Sequence, residues 1–567
     1  MNLRKSQGGH IAMIALIITL ASLALSLGYL RWVLGERVMH LRRLAQVRAH
    51  LNAHEGLGRF GGQIAVDKNF VNDSIMVDIP VASFMQGLVD SVVVSVGENI
   101  TSNRVNRIAT AVGSSYYPSF TGEDIQVFAK AYTAYQPQGF EEFMYFTNEE
   151  LPGGGPWLGS YVSFGTSDVL EGRVHSNGSI RMSEYGCPDF AEGSDVTTSG
   201  TFMMANCSEN QVFGENVTYA DSVPKIKWPP FTGLERVREN ADYFYNSAQK
   251  IRDPSDGTRR DTLIMTELTF IEGGFTVNRW MYIIPPFTQD GMFDGTYAHT
   301  MQMYHPTKTW GYAGGMNFWS FDYSPGMAGY IGPISSETIY DNRAVIYVHG
   351  GQVIVKGTVS GEYTVATSSG TDYRLHANNS TLEYLPGNIW ITGDLVYTDS
   401  YSNGAVKPNS PYRMGLLAGG NVVVANTLAN GGGNQALGSG IKINAAIIAM
   451  DESFLVHYWQ NTATNEVINY QKGDGRGPLR IFNNPGATTG SDVRGTINLW
   501  GSVVQTKRGY VMRNSPGPYP VSPGIGYYKN YNYDYNLLEY PPPYWPETQT
   551  VEGGEFLKMA SYGEVVY

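Results

Sequence analysis

The sequence predicts a mainly β protein that begins with one long α-helix. Its 567 residues include 66 glycines and 38 tyrosines, and only 16% are charged, a balance typical of short strands joined by tight turns. Residues 11–30 carry no charged side chain, and short apolar runs closed by Gly, Asn or Asp recur over residues 343–450. We therefore expect a transmembrane and stalk helix followed by a right-handed parallel β-helix (solenoid) with an inserted β-rich region.

The apolar run near the N-terminus is long enough to cross a bilayer. It extends from Ile11 through Leu20 to Leu30, and twenty helical residues at about 1.5 Å each span about 30 Å. A cleaved secretory signal peptide is the alternative, but its apolar region is usually shorter, and no A-x-A cleavage motif follows the run. The run therefore predicts a single-pass anchor in the lipid bilayer.

The helix is expected to continue beyond the membrane as an amphipathic stalk to about His54, ending near Gly56 or Gly58. Charge does not decide its orientation, because Arg4 and Lys5 precede the apolar run and several arginines follow it. The β-rich bulk and a cysteine pair favour export of the C-terminal part. Apolar residues recur along the stalk at steps of three and four: Leu34, Val38, Leu41, Leu44 (or Ala45), Val47 (or Arg48) and Leu51.

The two cysteines, Cys187 and Cys207, lie in one polar, Gly-rich stretch. In an exported chain they are a candidate disulfide, and closing a loop of about 20 residues contributes about 3 kcal/mol. Two free thiols are the alternative interpretation. The cysteines do not have the spacing of a zinc site.

The rest of the chain divides into segments by composition and periodicity. For residues 343–450 a β-sandwich is the alternative to a solenoid, but the motif G-x-V/I-x-V/I-x-G recurs there without the paired Asn-Gly turns of hairpins. One helix is predicted at about 233–252, where apolar residues recur at helical spacing. The expected segments are a leader-like segment (1–9), the transmembrane and stalk helix (10–58), a small mixed α/β region (59–155), the first part of the solenoid with one helix (156–256), the β-rich insertion (257–335), the main solenoid (336–515) and a Tyr- and Pro-rich C-terminal cap (516–567).

Candidate chemistry is sparse, so we expect no catalytic residue, no cofactor and no metal. His50 and His54 share a helix face and could hold a metal, but two surface histidines are the favoured interpretation. His175 and Ser176 precede a predicted Asn-Gly turn without a nucleophile motif, and we expect them to bond to backbone. The net charge of −12 with no long basic run argues against nucleic acid. Single acids that could converge only through stacking of coils are Asp341, Glu362, Asp372, Glu383 and Asp394.

Residues 6–60 resemble the N-terminal region of PilX-type type IV pilus-assembly proteins, a bacterial minor-pilin-like group. SQGG (6–9), the apolar run and NAHEGL (52–57) correspond to the leader, the helix and the closing sequence of that group. A leader peptidase cuts pilins after the glycine, so the resemblance implies cleavage between Gly9 and His10. The chain departs from the family at His10, where Phe or Met is usual, and at Ile14, where major pilins have Glu.

Most of residues 140–550 resemble an uncharacterised β-rich domain that follows such N-termini in many bacterial proteins. The matching pieces occur in the same order and include LEGRVHSNGSIRM (170–182), VIYVHGGQVIVKGTVSG (345–361) and YDYNLLEYPPPYWP (533–546). The family usually has an Arg shortly after the Tyr-Asp pair. Asn536 stands there in this chain, so the resemblance implies that a salt bridge at Asp534 is lost.

The sequence and its resemblances together predict a membrane-anchored structural protein of a type IV pilus-like assembly, and not an enzyme. The expected location is the inner membrane, with the bulk of the chain extracytoplasmic or at the cell surface. The expected partners are the bilayer and other pilin-like subunits or pilus-assembly components. One alternative is a surface adhesin or glycan-binding module that uses exposed Tyr and Trp. Another is a polysaccharide-active β-helix enzyme, which needs acids converging in one groove.

Overall fold

The chain is mainly β with one long apolar helix at its N-terminus, which confirms that part of the prediction. It divides into two compact units: unit 1 comprises residues 1–137 and 554–567, and unit 2 comprises residues 138–553. A computed structural model describes residues 7–66, 72–78, 91–101, 104–152, 162–166, 168–184, 186–228, 233–248, 251–252, 261–282, 330–373, 383–425, 429–430, 440–456, 492–509, 511–513, 525–548 and 557–566.

The secondary-structure elements are numbered in chain order. The helices are α1 (Gln7–Val66), α2 (Glu209–Val212) and α3 (Gly233–Glu239), with 3₁₀ turns at Phe140–Glu142 and Tyr535–Leu538. The first strands are β1 (Asn72–Asp78), β2 (Ser91–Thr101), β3 (Arg104–Pro118), β4 (Asp124–Pro137), β5 (Tyr145–Pro152), β6 (Asp168–Glu171), β7 (Arg173–Ser176), β8 (Ile180–Arg181), β9 (Asp189–Phe190), β10 (Asp195–Thr198), β11 (Phe202–Met203), β12 (Thr218–Ala220), β13 (Tyr243–Asn246), β14 (Ile251–Arg252), β15 (Asp261–Ile271) and β16 (Gly274–Tyr282). The later strands are β17 (Tyr330–Ile339), β18 (Arg343–His349), β19 (Gln352–Val359), β20 (Glu362–Thr367), β21 (Gly370–Tyr373), β22 (Glu383–Pro386), β23 (Ile389–Tyr397), β24 (Arg413–Ala418), β25 (Val422–Val424), β26 (Ile441–Ala449), β27 (Phe454–Val456), β28 (Asp492–Arg508), β29 (Met512–Arg513), β30 (Ile525–Tyr533) and β31 (Leu557–Val566).

In unit 1 the C-terminal half of α1 packs on an antiparallel sheet of five strands. The strand order is β1-β2-β3-β4-β31, and every neighbouring pair is antiparallel. The fifth strand, β31, comes from the end of the chain and pairs with β4 along its length. Unit 2 is therefore inserted in sequence between two neighbouring strands of unit 1.

The face of α1 that meets the sheet consists of small residues. Ala45, Ala49 and Ala53 are buried there, and Gly113 of β3 lies directly against the helix backbone. A Cβ atom on Gly113 would stand 2.1 Å from the Ala49 carbonyl oxygen and 2.6 Å from the Ala53 nitrogen. The small side chains on both sides thus allow a close approach that larger ones would prevent.

Several larger apolar side chains of the stalk do not belong to the face of α1 that meets the sheet. Leu44, Val47 and Leu51 are 36%, 56% and 62% exposed, so they lie on the side of α1 away from the sheet. The alternative Ala45 is the buried residue. Hydrophobic periodicity favours large side chains, whereas close helix-to-sheet packing selects small ones.

The strands of unit 2 stack mostly in parallel rows, with apolar side chains such as Val174, Ile447 and Val503 buried in its core. One row runs β18-β20-β24-β26-β28-β5-β7-β10-β12, with each strand parallel to the next. A second row runs β15-β19-β23-β25-β27, and a third runs β26-β28-β30-β6-β9. Long strands such as β26 and β28 belong to two rows.

Two of these rows join the end of unit 2 to its beginning. Val503 of β28 lies opposite Tyr145 of β5, and Lys529 of β30 lies opposite Asp168 of β6. We call the β28–β5 and β30–β6 junctions the seam. The early strands therefore stack on the latest strands of the unit.

The predicted helix at 233–252 is too long. The helix α3 ends at Glu239, and the strand β13 follows, with Tyr243 opposite Ile346 of β18 in parallel. Pairing with an existing strand outweighs the helical periodicity at these positions. Within the expected insertion, β16 pairs antiparallel with β15 and β17, and residues 283–329 lie outside the described residues.

The Tyr- and Pro-rich segment before β31 packs on the side of β20 and β24. Trp545 is buried against Gly415, where a Cβ atom would stand 2.4 Å from the indole ring. The Thr364 hydroxyl donates to the Pro543 carbonyl at 2.6 Å, and Arg413 Nε donates to the Tyr540 carbonyl at 2.6 Å. The expected cap at 516–567 is wrong for its last residues, because β31 pairs with β4 in the sheet of unit 1.

Replacing Gly113 with Ala tests the close packing of α1 on the sheet. The added methyl group meets helix backbone that cannot rotate away, so we expect unit 1 to lose about 1–3 kcal/mol of stability. Faster hydrogen exchange in the β3 peptide 104–118 is the measurement.

The control is Gly58→Ala, because a Cβ atom at Gly58 meets nothing within 4 Å. That change is expected to be neutral or slightly stabilising in a helix. Equal exchange rates in the two variants would contradict the packing described above.

Candidate functional site

The apolar side chains in the N-terminal half of α1 are bare, which here means that the rest of the chain leaves them exposed. Ile11, Leu20 and Leu30 are 68%, 56% and 55% exposed, and the most apolar 18-residue window of this helix is 0% buried with a mean hydropathy of 2.4. The helix is therefore long and apolar enough to cross a membrane. Gly9 and His10 lie in its first turns, and cleavage between them stays a prediction.

The structure contains the candidate disulfide. Cys187 and Cys207 are bonded, with their Cα atoms 5.7 Å apart. Cys207 belongs to the core of unit 2, and Cys187 packs against that core. The bond therefore restrains residues 187–207, which otherwise contain only the short strands β9, β10 and β11.

Three of the five separated acids of the sequence, Asp341, Glu362 and Asp394, have partners that are not acids. Glu362 and Asp394 are bonded to Arg343 at 3.3 Å and to Lys442 at 3.8 Å, respectively. Asp341 accepts hydrogen bonds from the Tyr243 hydroxyl and the Arg343 amide. Asp372 lies exposed in the short strand β21, and Glu383 lies in β22. Stacking of the parallel strands has therefore paired Glu362 and Asp394 with cations.

His175 and Ser176 are buried at the end of β7, but they do not form a nucleophile and its base. The Ser176 hydroxyl donates to Glu150 at 2.8 Å, while His175 contacts the Thr197 hydroxyl at 2.9 Å and the Asn177 amide oxygen at 3.1 Å. The expectation of backbone bonds is therefore wrong for His175. Burial lowers its pKa to about 4, so the ring is neutral at pH 7.

A cluster of buried charges lies at the seam. The Arg508 guanidinium at the end of β28 contacts Glu150 of β5 at 3.2 Å and Asp168 of β6 at 3.9 Å. Lys529 of β30 contacts Asp168 at 2.7 Å. The guanidinium also lies 3.4 Å from the centre of the Phe164 ring and donates to the Val162 carbonyl at 2.8 Å. We call these four charged residues the seam cluster.

The seam cluster is balanced in charge and closed to solvent. The side chains of Arg508, Glu150 and Asp168 are 1%, 2% and 5% exposed. Burial opposes the charge on Arg508, but Tyr145 and the two carboxylates outweigh it and raise the pKa of the guanidinium. Burial lowers the pKa of Lys529 despite its contact with Asp168. Because these charges are paired and almost closed to solvent, we expect them to hold the seam in register.

Sequence reasoning missed the seam cluster because its members are far apart along the chain. Arg508 and Glu150 are 358 positions apart. The only signal in the sequence is a charged residue within or next to an apolar strand, such as Arg508 after SVVQTK. By contrast, Asn536 takes the place expected of an Arg near Asp534, donating to its carboxylate through backbone and side chain at 3.0 and 2.8 Å.

No protein-family model, curated protein or solved structure matches this chain. Its function is therefore inferred from its own residues, of which the bare half of α1 and the closed interior of unit 2 are the most informative.

Replacing Arg508 with Met tests the role of the seam cluster. The change leaves Glu150 and Asp168 buried with too little positive charge, and breaking such a pair typically costs about 3–5 kcal/mol. We expect a large fall in the denaturation midpoint of the full chain in detergent.

The matched control is Arg343→Met, which breaks the pair with Glu362. Those side chains are 50% and 43% exposed, so the expected loss is about 0–1 kcal/mol. A seam variant as stable as this control would contradict the structural role of Arg508.

Proposed function

We propose that this chain is a membrane-anchored structural subunit of a type IV pilus-like assembly, similar to minor pilins. In this proposal α1 anchors the chain in the inner membrane before assembly and packs among the helices of other subunits afterwards. The bare surface of residues 11–30 is the single observation that carries the proposal.

The size of this bare surface argues against a chain that leaves it in water. Twelve large apolar side chains between Ile11 and Leu30 are each more than half exposed. Covering a Leu or Ile side chain is worth about 1.5–3 kcal/mol, so their total is on the order of 20 kcal/mol or more. A bilayer or a bundle of similar helices can supply that cover.

The two halves of α1 support a role in which the helix lies first in a bilayer and later among the helices of other subunits. The C-terminal half is held by the sheet of unit 1, so the apolar half projects from a folded body. Leu44, Val47 and Leu51 extend the exposed apolar surface along the held half. This continuity supports contact with neighbouring subunits beyond the depth of a bilayer.

Unit 2 is proposed to be the displayed part of the subunit. We propose that its parallel rows are the faces of a right-handed β-helix, because each strand stacks on the equivalent strand of the next coil. The disulfide is suited to an oxidising, extracytoplasmic compartment. The paired acids and the closed seam cluster support a structural role over an enzymatic one.

Replacing Leu20 with Arg tests the anchor. A charge at the centre of a transmembrane helix costs about 2.5–3.5 kcal/mol for insertion, so we expect loss of membrane retention or of assembly in the native host. The measurement is the distribution of the chain between membrane, soluble and sheared surface fractions.

The control is Tyr340→Arg, at a residue that is 80% exposed and lies outside α1. This variant is expected to remain in the membrane fraction. An unchanged distribution for the Leu20 variant would overturn the proposed anchor.

A further inference from the structure

Three ionisable side chains meet on the surface of unit 1. His50 and His54 are one turn apart on α1, and Glu564 lies on β31 near the end of the chain. The Nε2 atoms of His50 and His54 lie 3.0 and 2.7 Å from the two oxygens of Glu564. One ligand atom from each residue lies within 4.8 Å of the others. The histidine pair was visible in the sequence, but the carboxylate is 510 positions away.

These residues are a donor set that suits a divalent transition metal. Two imidazole nitrogens and one carboxylate oxygen form a recurrent three-residue zinc site, and the fourth position remains for water or another ligand. Imidazole favours zinc and its neighbours in the first transition row over magnesium and calcium, which prefer oxygen ligands. Positions i and i+4 of a helix place both rings on one face, as such a site requires.

The geometry needs little change to admit an ion. Ligand atoms around tetrahedral zinc, with bonds of about 2.0–2.1 Å, are about 3.3 Å apart. That separation is slightly longer than the present nitrogen-to-oxygen distances, so small side-chain rotations open the site. The side chains of His50, His54 and Glu564 are 28%, 42% and 34% exposed, which leaves a path for the ion.

The surroundings keep the carboxylate ready to bind. The Tyr562 hydroxyl, two residues before Glu564 on the same strand, contacts both Glu564 and His54. An outer partner of this kind orients a metal ligand and is commonly needed for full affinity.

We infer that His50, His54 and Glu564 bind one zinc ion or a similar divalent transition-metal ion. The ion joins α1 to β31, the edge strand that closes the sheet of unit 1 after the whole of unit 2 has been made. Its bonds to a folded chain stabilise the closed sheet, because the unfolded chain does not hold the three ligands together. This inference does not depend on the proposed pilus-like role.

The test is metal binding to the full chain, purified in detergent without a histidine tag and stripped with a chelator. Zinc is titrated in competition with a chromogenic chelator, and cobalt(II) replaces zinc for visible spectroscopy. We expect one tight site per chain, intense tetrahedral cobalt bands and a higher melting temperature with zinc.

The variants are His50→Gln, His54→Gln and Glu564→Gln, which keep polar side chains at partly exposed positions. Each is expected to weaken zinc binding by more than about 100-fold, beyond the 10–100-fold typical of outer partners. The control is His40→Gln, at another exposed histidine of α1, and it is expected to bind zinc like the wild type.

Two results would overturn the inference. One is a wild-type chain that shows no zinc binding at micromolar concentration. The other is equal zinc affinity in the wild type and in Glu564→Gln, which would place any bound ion elsewhere. Circular dichroism of each variant separates loss of a ligand from loss of the fold.

Discussion

The pairing of late strands with early ones is the constraint on which both units depend. In unit 2, β28 pairs with β5 and β30 pairs with β6, although the paired strands lie more than 300 residues apart. In unit 1, β31 pairs with β4 only after unit 2 has been made. Strands this far apart in sequence pair slowly, because the entropy cost of closing a long loop comes before the favourable contacts form. The chain therefore needs specific side-chain contacts where the distant strands meet.

The seam cluster provides such contacts. Buried ion pairs contribute little net stability compared with apolar packing, but a shift of register would leave each charge buried without its partner. Arg508 and Lys529 on the late strands meet Glu150 and Asp168 on the early strands only in the observed register. We therefore expect the cluster to favour one alignment of the seam, in addition to the register that the buried apolar side chains specify.

Local features were predictable from the sequence, and features that depend on distant residues were not. The apolar run at Ile11–Leu30 and the β-rich body were evident, because hydropathy and strand runs are local. Which side of α1 is buried was not evident from the stalk's periodicity, since the sheet selects Ala49 and Ala53 over Val47 and Leu51. The predicted helix beyond Glu239 was lost to pairing with β18. Glu564 could not be connected with His50 and His54 without the fold.

The proposed function depends on the apolar surface of residues 11–30, which the described residues leave exposed. The fate of residues 11–30 distinguishes a permanent anchor from a subunit that leaves the membrane for a filament. In the proposed function, cleavage between Gly9 and His10 would release this helix for assembly.

Mass spectrometry of the mature N-terminus tests this claim most directly, using membrane and sheared surface fractions of the native host. The account predicts a chain that starts at His10 and is present in the sheared fraction. An intact Met1, confined to the membrane fraction, would contradict assembly into a filament and would leave a membrane-anchored β domain.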